Sequence, residues 1–156
     1  SYNLKRKCFA KLKKEIQARV EDYFLEVINP LNKVKPYITQ SWLNWTTNNQ
    51  FHHMHAHPNS IVSGVLYIDA DPNSDKITFY TTKYNQIELQ IKEANLFNSG
   101  SWCFPVHSGM LIMFPSNLTH KVEFKETSNL RISLAFNVFA KGTIGSKDQL
   151  TELVLK

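Results

Sequence analysis

Leu4, Cys8, Leu12, Ile16, Val20 and Phe24 recur every four positions at the start of the chain, and Phe9, Tyr23 and Val27 widen the same stripe. That spacing predicts one amphipathic helix over residues 4–28. Asn29-Pro30 closes it, because the residue before a proline disfavours helical dihedrals. From residue 38 onward the hydrophobic period becomes two, in short runs separated by turn residues. Ile61 to Ile68 is one run, ending at the turn Asp71-Pro72-Asn73-Ser74. Lys76 to Thr81 follows, then Ile87, Leu89 and Ile91 in alternation, Met110 to Phe114, His120 to Phe124, and Arg131 to Phe139 as the longest strand. Gln149 to Leu155 fits a strand or a helix. One helix followed by many short strands predicts a mainly β fold, a double-stranded β-helix or jelly roll, with the N-terminal helix packed on it.

The 156 residues suit a single domain, with the helix in residues 1–30 and the jelly-roll core in 38–140. Hydrophobic content of 42% and charged content of 20% are ordinary for a globular chain. No apolar run approaches the roughly 18 residues needed to cross a bilayer. The first residues also lack a signal peptide's charged-then-apolar pattern, so a cytoplasmic protein is expected. Cys8 and Cys103 follow no disulfide spacing and are expected to be buried thiols of a reducing compartment. The sequon Asn117-Leu118-Thr119 carries no meaning there.

Net charge is +5, and Lys5, Arg6, Lys7, Lys11, Lys13, Lys14 and Arg19 fall within the first twenty residues. They read as the solvated face of the helix; no nucleic-acid motif accompanies them. The apolar face of that helix fits against its own barrel or against a second copy in a homodimer.

Four of the six histidines crowd into Phe51-His52-His53-Met54-His55-Ala56-His57-Pro58, directly before the Ser60–Ile68 run. In extended backbone, residues i and i+2 point to one face. His55 and His57 can therefore reach one ion, as can His53 and His55. The first pair is favoured because it sits nearest the apolar strand, which leaves His53 behind the ligands or facing a substrate. His120, at the end of a turn and the start of a strand, is the best third ligand. Imidazole suits first-row metals, and three ligands on one face leave open positions for catalysis. Asp69 is a poor alternative, since an extended chain puts it roughly 30 Å or more from His57. Arg131 and Ser133 share a face of the longest strand, and both can donate to a carboxylate. An arginine within Leu130-Arg131-Ile132-Ser133-Leu134-Ala135-Phe136-Asn137 needs an anionic partner, either a ligand or an internal acid. Trp42, Trp45, Phe51 and His53 are candidates for the mouth of a substrate site.

These segments resemble the 2-oxoglutarate/Fe(II)-dependent oxygenase superfamily, in particular small oxygenases of bacteria and their viruses. The matching stretches are Ser41 to Asn44, His53 to Ser60, Ser63 to Tyr67, Gly109 to Ser116 with His120, and Arg131 to Asn137. The resemblance implies a double-stranded β-helix, with Fe(II) held by His55, His57 and His120. It further implies that Arg131 and Ser133 bind the distal carboxylate of the co-substrate 2-oxoglutarate, with Tyr67 as a second contact. The implied reaction uses O2 and releases succinate and CO2, with hydroxylation as the default outcome on a substrate the sequence does not name. One departure stands out: His57 occupies the place of the superfamily's carboxylate ligand, so the three ligands are all neutral. Two other functions fit a barrel with three histidines. One is a cupin-type dioxygenase or isomerase that does not use 2-oxoglutarate; the other is a non-catalytic binding module.

Overall fold

The computed structural model describes residues 2–81, 87 and 89–156. Among the described residues nine strands form two antiparallel sheets. β1 (Val34–Thr46), β8 (Arg131–Ile144), β3 (Val62–Asp69) and β6 (Leu111–Pro115) lie in that order in the first, and β9 (Leu153–Leu155) extends it from β8. The second sheet runs β2 (His52–His55), β7 (Thr119–Val122), β4 (Lys76–Tyr80), β5 (Ser101–Pro105). Successive strands alternate between the sheets from β1 to β4 and again from β5 to β8, with β4 and β5 paired within the second, as in a jelly roll. The mainly β fold with an N-terminal helical layer is therefore present.

The first sheet is buried on both faces. On β8, Leu134, Phe136, Val138 and Ala140 point outward into a core shared with Leu4, Ile16, Val20 and Phe24 of the helical segment. The helix thus packs on its own barrel. The opposite face of the same strand carries Ser133 and Ala135, which line the barrel interior with Arg131. A second core of Tyr67, Ala70, Ile77 and Val106 fills the space between the sheets.

The helical segment is less regular than its four-residue stripe predicts. Two short 3₁₀ turns, Asn3–Lys5 and Lys7–Phe9, precede α1 (Ala10–Tyr23), and a π turn over Phe24–Ile28 ends at Asn29 in the left-handed region (φ 47°). The break falls at Arg6, whose backbone is extended. There the Leu4 N–H donates to Ser41 Oγ at 2.8 Å instead of continuing a helix, which staples the N-terminus to β1. The break takes Cys8 out of the stripe, so Cys8 is exposed; Cys103, on edge strand β5, is exposed too. Neither is the buried thiol that the sequence led us to expect. The basic residues of the first twenty positions are all exposed.

Ile87, Leu89 and Ile91 do not form the expected strand. They are exposed and outside regular structure, because β4 ends at Tyr80 and its next partner, β5, begins at Ser101. Residues 82–86 and 88 lie outside the described residues. The helix-or-strand ambiguity at the C-terminus resolves as a strand, β9 on β8. No helix among the described residues is long and apolar enough to cross a membrane.

Gly64 faces Phe136 across the β3–β8 ladder, and the phenyl ring lies over the glycine: a Cβ built there would meet Phe136 Cζ at 2.2 Å. The ring occupies the place of a side chain and ties both strands to the helix. We expect Gly64→Ala to lower unfolding free energy by about 1–3 kcal/mol in urea titrations. Combining it with Phe136→Leu should cost less than the sum of the two single changes. Strict additivity would mean that the ring does not depend on Gly64.

Candidate metal centre

Strand register builds the site in rows. Asn44, Ser133 and Tyr67 align across β1, β8 and β3; so do Trp42, Ala135 and Val65; and so do Gln40, Asn137 and Ser63. The opposite wall comes from the second sheet, where Ile77 and Phe79 of β4 pair with Val122 and His120 of β7.

In β2 the register is irregular: His52 pairs with Val122 and His55 with His120, so one extra residue sits in β2. Such a bulge turns residues three apart toward the same side. Both His52 and His55 therefore line the interior with Val122 and His120. Beyond the strand, the His57 N–H donates to Ser116 O at 2.8 Å, which fastens the segment to the β6–β7 turn that precedes His120.

One ring nitrogen from each of His55, His57 and His120 falls within a single set spanning no more than 4.8 Å. His55 Nε2 and His57 Nε2 are 3.1 Å apart. Two nitrogens about 2.1 Å from one ion and at right angles would be separated by about 3.0 Å, so the spacing fits a shared octahedral centre. Each imidazole has an oxygen partner at Nδ1: His53 O for His55 (2.7 Å), Asn137 Oδ1 for His57 (2.6 Å) and Leu118 O for His120 (3.0 Å). An Nδ1–H held this way leaves Nε2 free as the donor atom, the arrangement found behind most metal-bound histidines. Between the two pairs that sequence spacing left open, His55 and His57 converge with His120. His53 is exposed and contributes its backbone carbonyl.

Burial favours the neutral form of His57 and His120, the form that binds metal. Loss of hydration pushes the His120 pKa down to about 4, with His55 and His57 adding to the effect and the Leu118 carbonyl opposing it. Loss of hydration also lowers His57, against the opposing bond to Asn137. His52 is lowered by burial and then by the charge of Arg131. Burial raises the Tyr67 phenol, against the pull of Arg131.

The three histidines share a cavity of about 50 Å³ with Trp42, Asn44, His52, Tyr67, Arg131 and Ser133. Arg131 is 3% exposed, and its Nη1 donates to Asp75 Oδ1 at 3.1 Å, so the internal acid anticipated as one possible partner exists. The same oxygen takes the Lys125 ammonium at 2.9 Å, and Lys125 completes its donors on Thr127 Oγ1 and Asn129 Oδ1. Two buried cations therefore face one buried carboxylate, leaving one positive charge in excess. Arg131 Nη2 is buried with no hydrogen-bond partner among the described residues. That guanidinium edge calls for an anion.

Of the candidate mouth aromatics, Trp42 lies inside, its ring 5.8 Å from that of His57. Trp45 and Phe51 are about half exposed and line a separate hollow of about 420 Å³ that meets the site at His52. A larger apolar cleft of about 730 Å³ lies beyond Phe79 and Phe114, whose rings stand between it and His120. Sequence reasoning missed His52, Asp75, Lys125 and Asn137. The bulge that turns His52 inward leaves no trace in a two-residue period. Asp75 reads as the end of a turn, and Asn137 carried the i, i+2 signal from Arg131 and Ser133 two further steps along.

Residues 40–137 match a family model described as "Putative 2OG-Fe(II) oxygenase". No curated protein matches the chain. Among solved structures, an oxidoreductase of the 2OG-Fe(II) oxygenase family from Burkholderia pseudomallei aligns with TM-score 0.57 at 15% identity, over 78% of this chain and 52% of that one. HygX from Streptomyces hygroscopicus, with nickel and 2-oxoglutarate bound, aligns with TM-score 0.59 at 14% identity, over 85% and 65%. The same protein with iron bound gives TM-score 0.57 at 13% identity, over 83% and 66%. The chain thus spans between about half and two thirds of these structures, and at such identity the likeness is one of fold.

The shared carboxylate makes Asp75 the most sensitive position of the polar interior. Asp75→Asn should destabilise the protein by about 3–5 kcal/mol in chemical denaturation, because it strands two buried cations. Lys125→Met should cost clearly less, since it leaves a balanced Asp75–Arg131 pair. Equal losses would contradict the charge count.

Proposed function

The chain belongs to the 2OG-Fe(II) oxygenase family, and we propose that it is a 2-oxoglutarate- and Fe(II)-dependent dioxygenase that hydroxylates a substrate and releases succinate and CO2. His55, His57 and His120 would hold the iron through Nε2. Arg131 and Ser133, with Tyr67 across the ladder, would hold the distal carboxylate of 2-oxoglutarate. The observation that carries this reading is the unpartnered Arg131 Nη2, buried in the same cavity as three convergent imidazoles.

When bound, the iron supplies the centre at which the keto acid and O2 react; everything else falls to the protein. Asp75 holds Arg131 by one nitrogen and so aims the other at the cavity. The excess positive charge favours a dianionic co-substrate over a neutral analogue. Val65, Ile77 and Val122 complete the lining and keep the space between the ends of the diacid free of water. Trp42 and Asn44 line the same cavity, where a substrate would meet the centre.

The all-imidazole donor set also fits a metal-dependent dioxygenase that chelates its substrate without 2-oxoglutarate, and one spectrum separates the two. Fe(II)-loaded protein should develop a visible charge-transfer band when 2-oxoglutarate is added anaerobically. Arg131→Ala should raise the 2-oxoglutarate concentration needed for half of that band roughly 10- to 100-fold, while Fe(II) occupancy stays near normal. His57→Ala or His120→Ala should lose the metal. A protein that binds Fe(II) but gives no band at any 2-oxoglutarate concentration would rule out this reading.

A further inference from the structure

Behind His57 runs a buried chain of side-chain hydroxyls that ends on an amide, and its protons can be placed one by one. Ser60 Oγ lies 3.0 Å from Val62 O and 3.1 Å from Val138 O, which only accept, so its proton goes to one of them. Ser116 Oγ donates to Ser60 Oγ at 2.8 Å, which commits its single proton. Ser63 Oγ lies 2.8 Å from Ser116 Oγ, whose own proton is already committed, and 2.9 Å from Asn137 Oδ1, which only accepts, so its single proton goes to one of these two and none is left for His57. The two oxygens facing His57 Nδ1 are then Asn137 Oδ1 at 2.6 Å and Ser63 Oγ at 2.9 Å, and both are acceptors. The proton must sit on Nδ1. Ser63 and Ser116 are 0% and 1% exposed, so the hydroxyls of the chain are closed off from solvent.

From this chain we propose that Asn137 is a positioning residue that fixes His57 as the Nδ1-protonated neutral imidazole, and so sets both the direction of its lone pair and the charge of the donor set. The proposal rests on the reading of His55, His57 and His120 as metal ligands. The amide and the imidazole are both neutral, so the centre keeps the full charge of its ion. A carboxylate oxygen in the place of Asn137 Oδ1 would draw the Nδ1 proton more strongly, make Nε2 the better donor and bring a negative charge next to the metal.

The test uses the full chain, with Ni2+ for affinity and Fe2+ for potential. Asn137→Leu keeps the branched outline and removes the acceptor; it should weaken Ni2+ binding about 10- to 100-fold in calorimetry. Asn137→Asp should restore at least wild-type affinity and lower the Fe(III)/Fe(II) potential in anaerobic spectroelectrochemistry, a shift that packing alone would not produce. In metal-free protein, long-range 1H–15N spectra should show His57 protonated at Nδ1 in wild type and in Asn137→Asp. If Asn137→Leu does not fold, the potential of the aspartate variant and the wild-type tautomer still decide. Wild-type Ni2+ affinity in the leucine variant, an unshifted potential in the aspartate variant, or an Nε2-protonated His57 in wild type would each overturn the proposal while leaving the metal centre standing. A wild-type protein that takes up no Ni2+ or Fe2+ would remove the metal reading, and this one with it.

Discussion

Strand β8 lies between β1 and β3 and is covered on both faces, so its two-residue period governs every layer of the molecule. One face delivers Leu134, Phe136, Val138 and Ala140 to the helix; the other delivers Arg131, Ser133, Ala135 and Asn137 to the interior. A slip of one residue against either neighbour would exchange the two sets, placing a guanidinium under the helix and a phenyl ring at the site. Gly64 makes such a slip costly, because only a residue without a side chain fits beneath Phe136. Folding of the helix onto the outer face and assembly of the chemistry on the inner face are therefore one event. The same ladder that buries the apolar set at roughly 25 cal/mol per Å² also fixes where three polar groups stand, Arg131, Ser133 and Asn137.

This explains which parts of the protein were legible in the sequence. The alternation of β8 reads directly, and with it the pairing of Arg131 with Ser133. His55 and His57 read as an i, i+2 pair before a strand, and His120 as the residue that ends a turn. What local pattern hides is anything decided by a departure from the period or by a distant partner. The extra residue in β2 turns His52 inward against simple alternation. The break at Arg6 leaves no mark on the four-residue stripe, and the acceptor that holds the Leu4 amide, Ser41 on β1, lies 37 residues away. Ile87, Leu89 and Ile91 alternate like a strand but are exposed, since the ladder of β4 is already filled by β5 and β7. Asp75 and Lys125 look like ordinary surface charges near turns; only the closed barrel brings them together with Arg131.

The electrostatic design of the interior follows from those buried partners. Desolvation pushes His57 and His120 toward neutrality, and His120 is the more buried of the two. Desolvation cannot neutralise a guanidinium, so Arg131 needs Asp75 to be tolerated at all. Because Lys125 draws on the same carboxylate oxygen, Asp75 does not fully compensate Arg131, and one nitrogen stays unmatched on the cavity side. A single well-balanced Arg–Asp pair would have given a more stable interior with no affinity for an anion. On the proposed reading the third charge would turn a structural salt bridge into a receptor for an anion, and three neutral ligands would add no negative charge to compete with it. The cost in stability and the proposed capacity to bind a diacid would then have the same origin, the sharing of one oxygen between two cations.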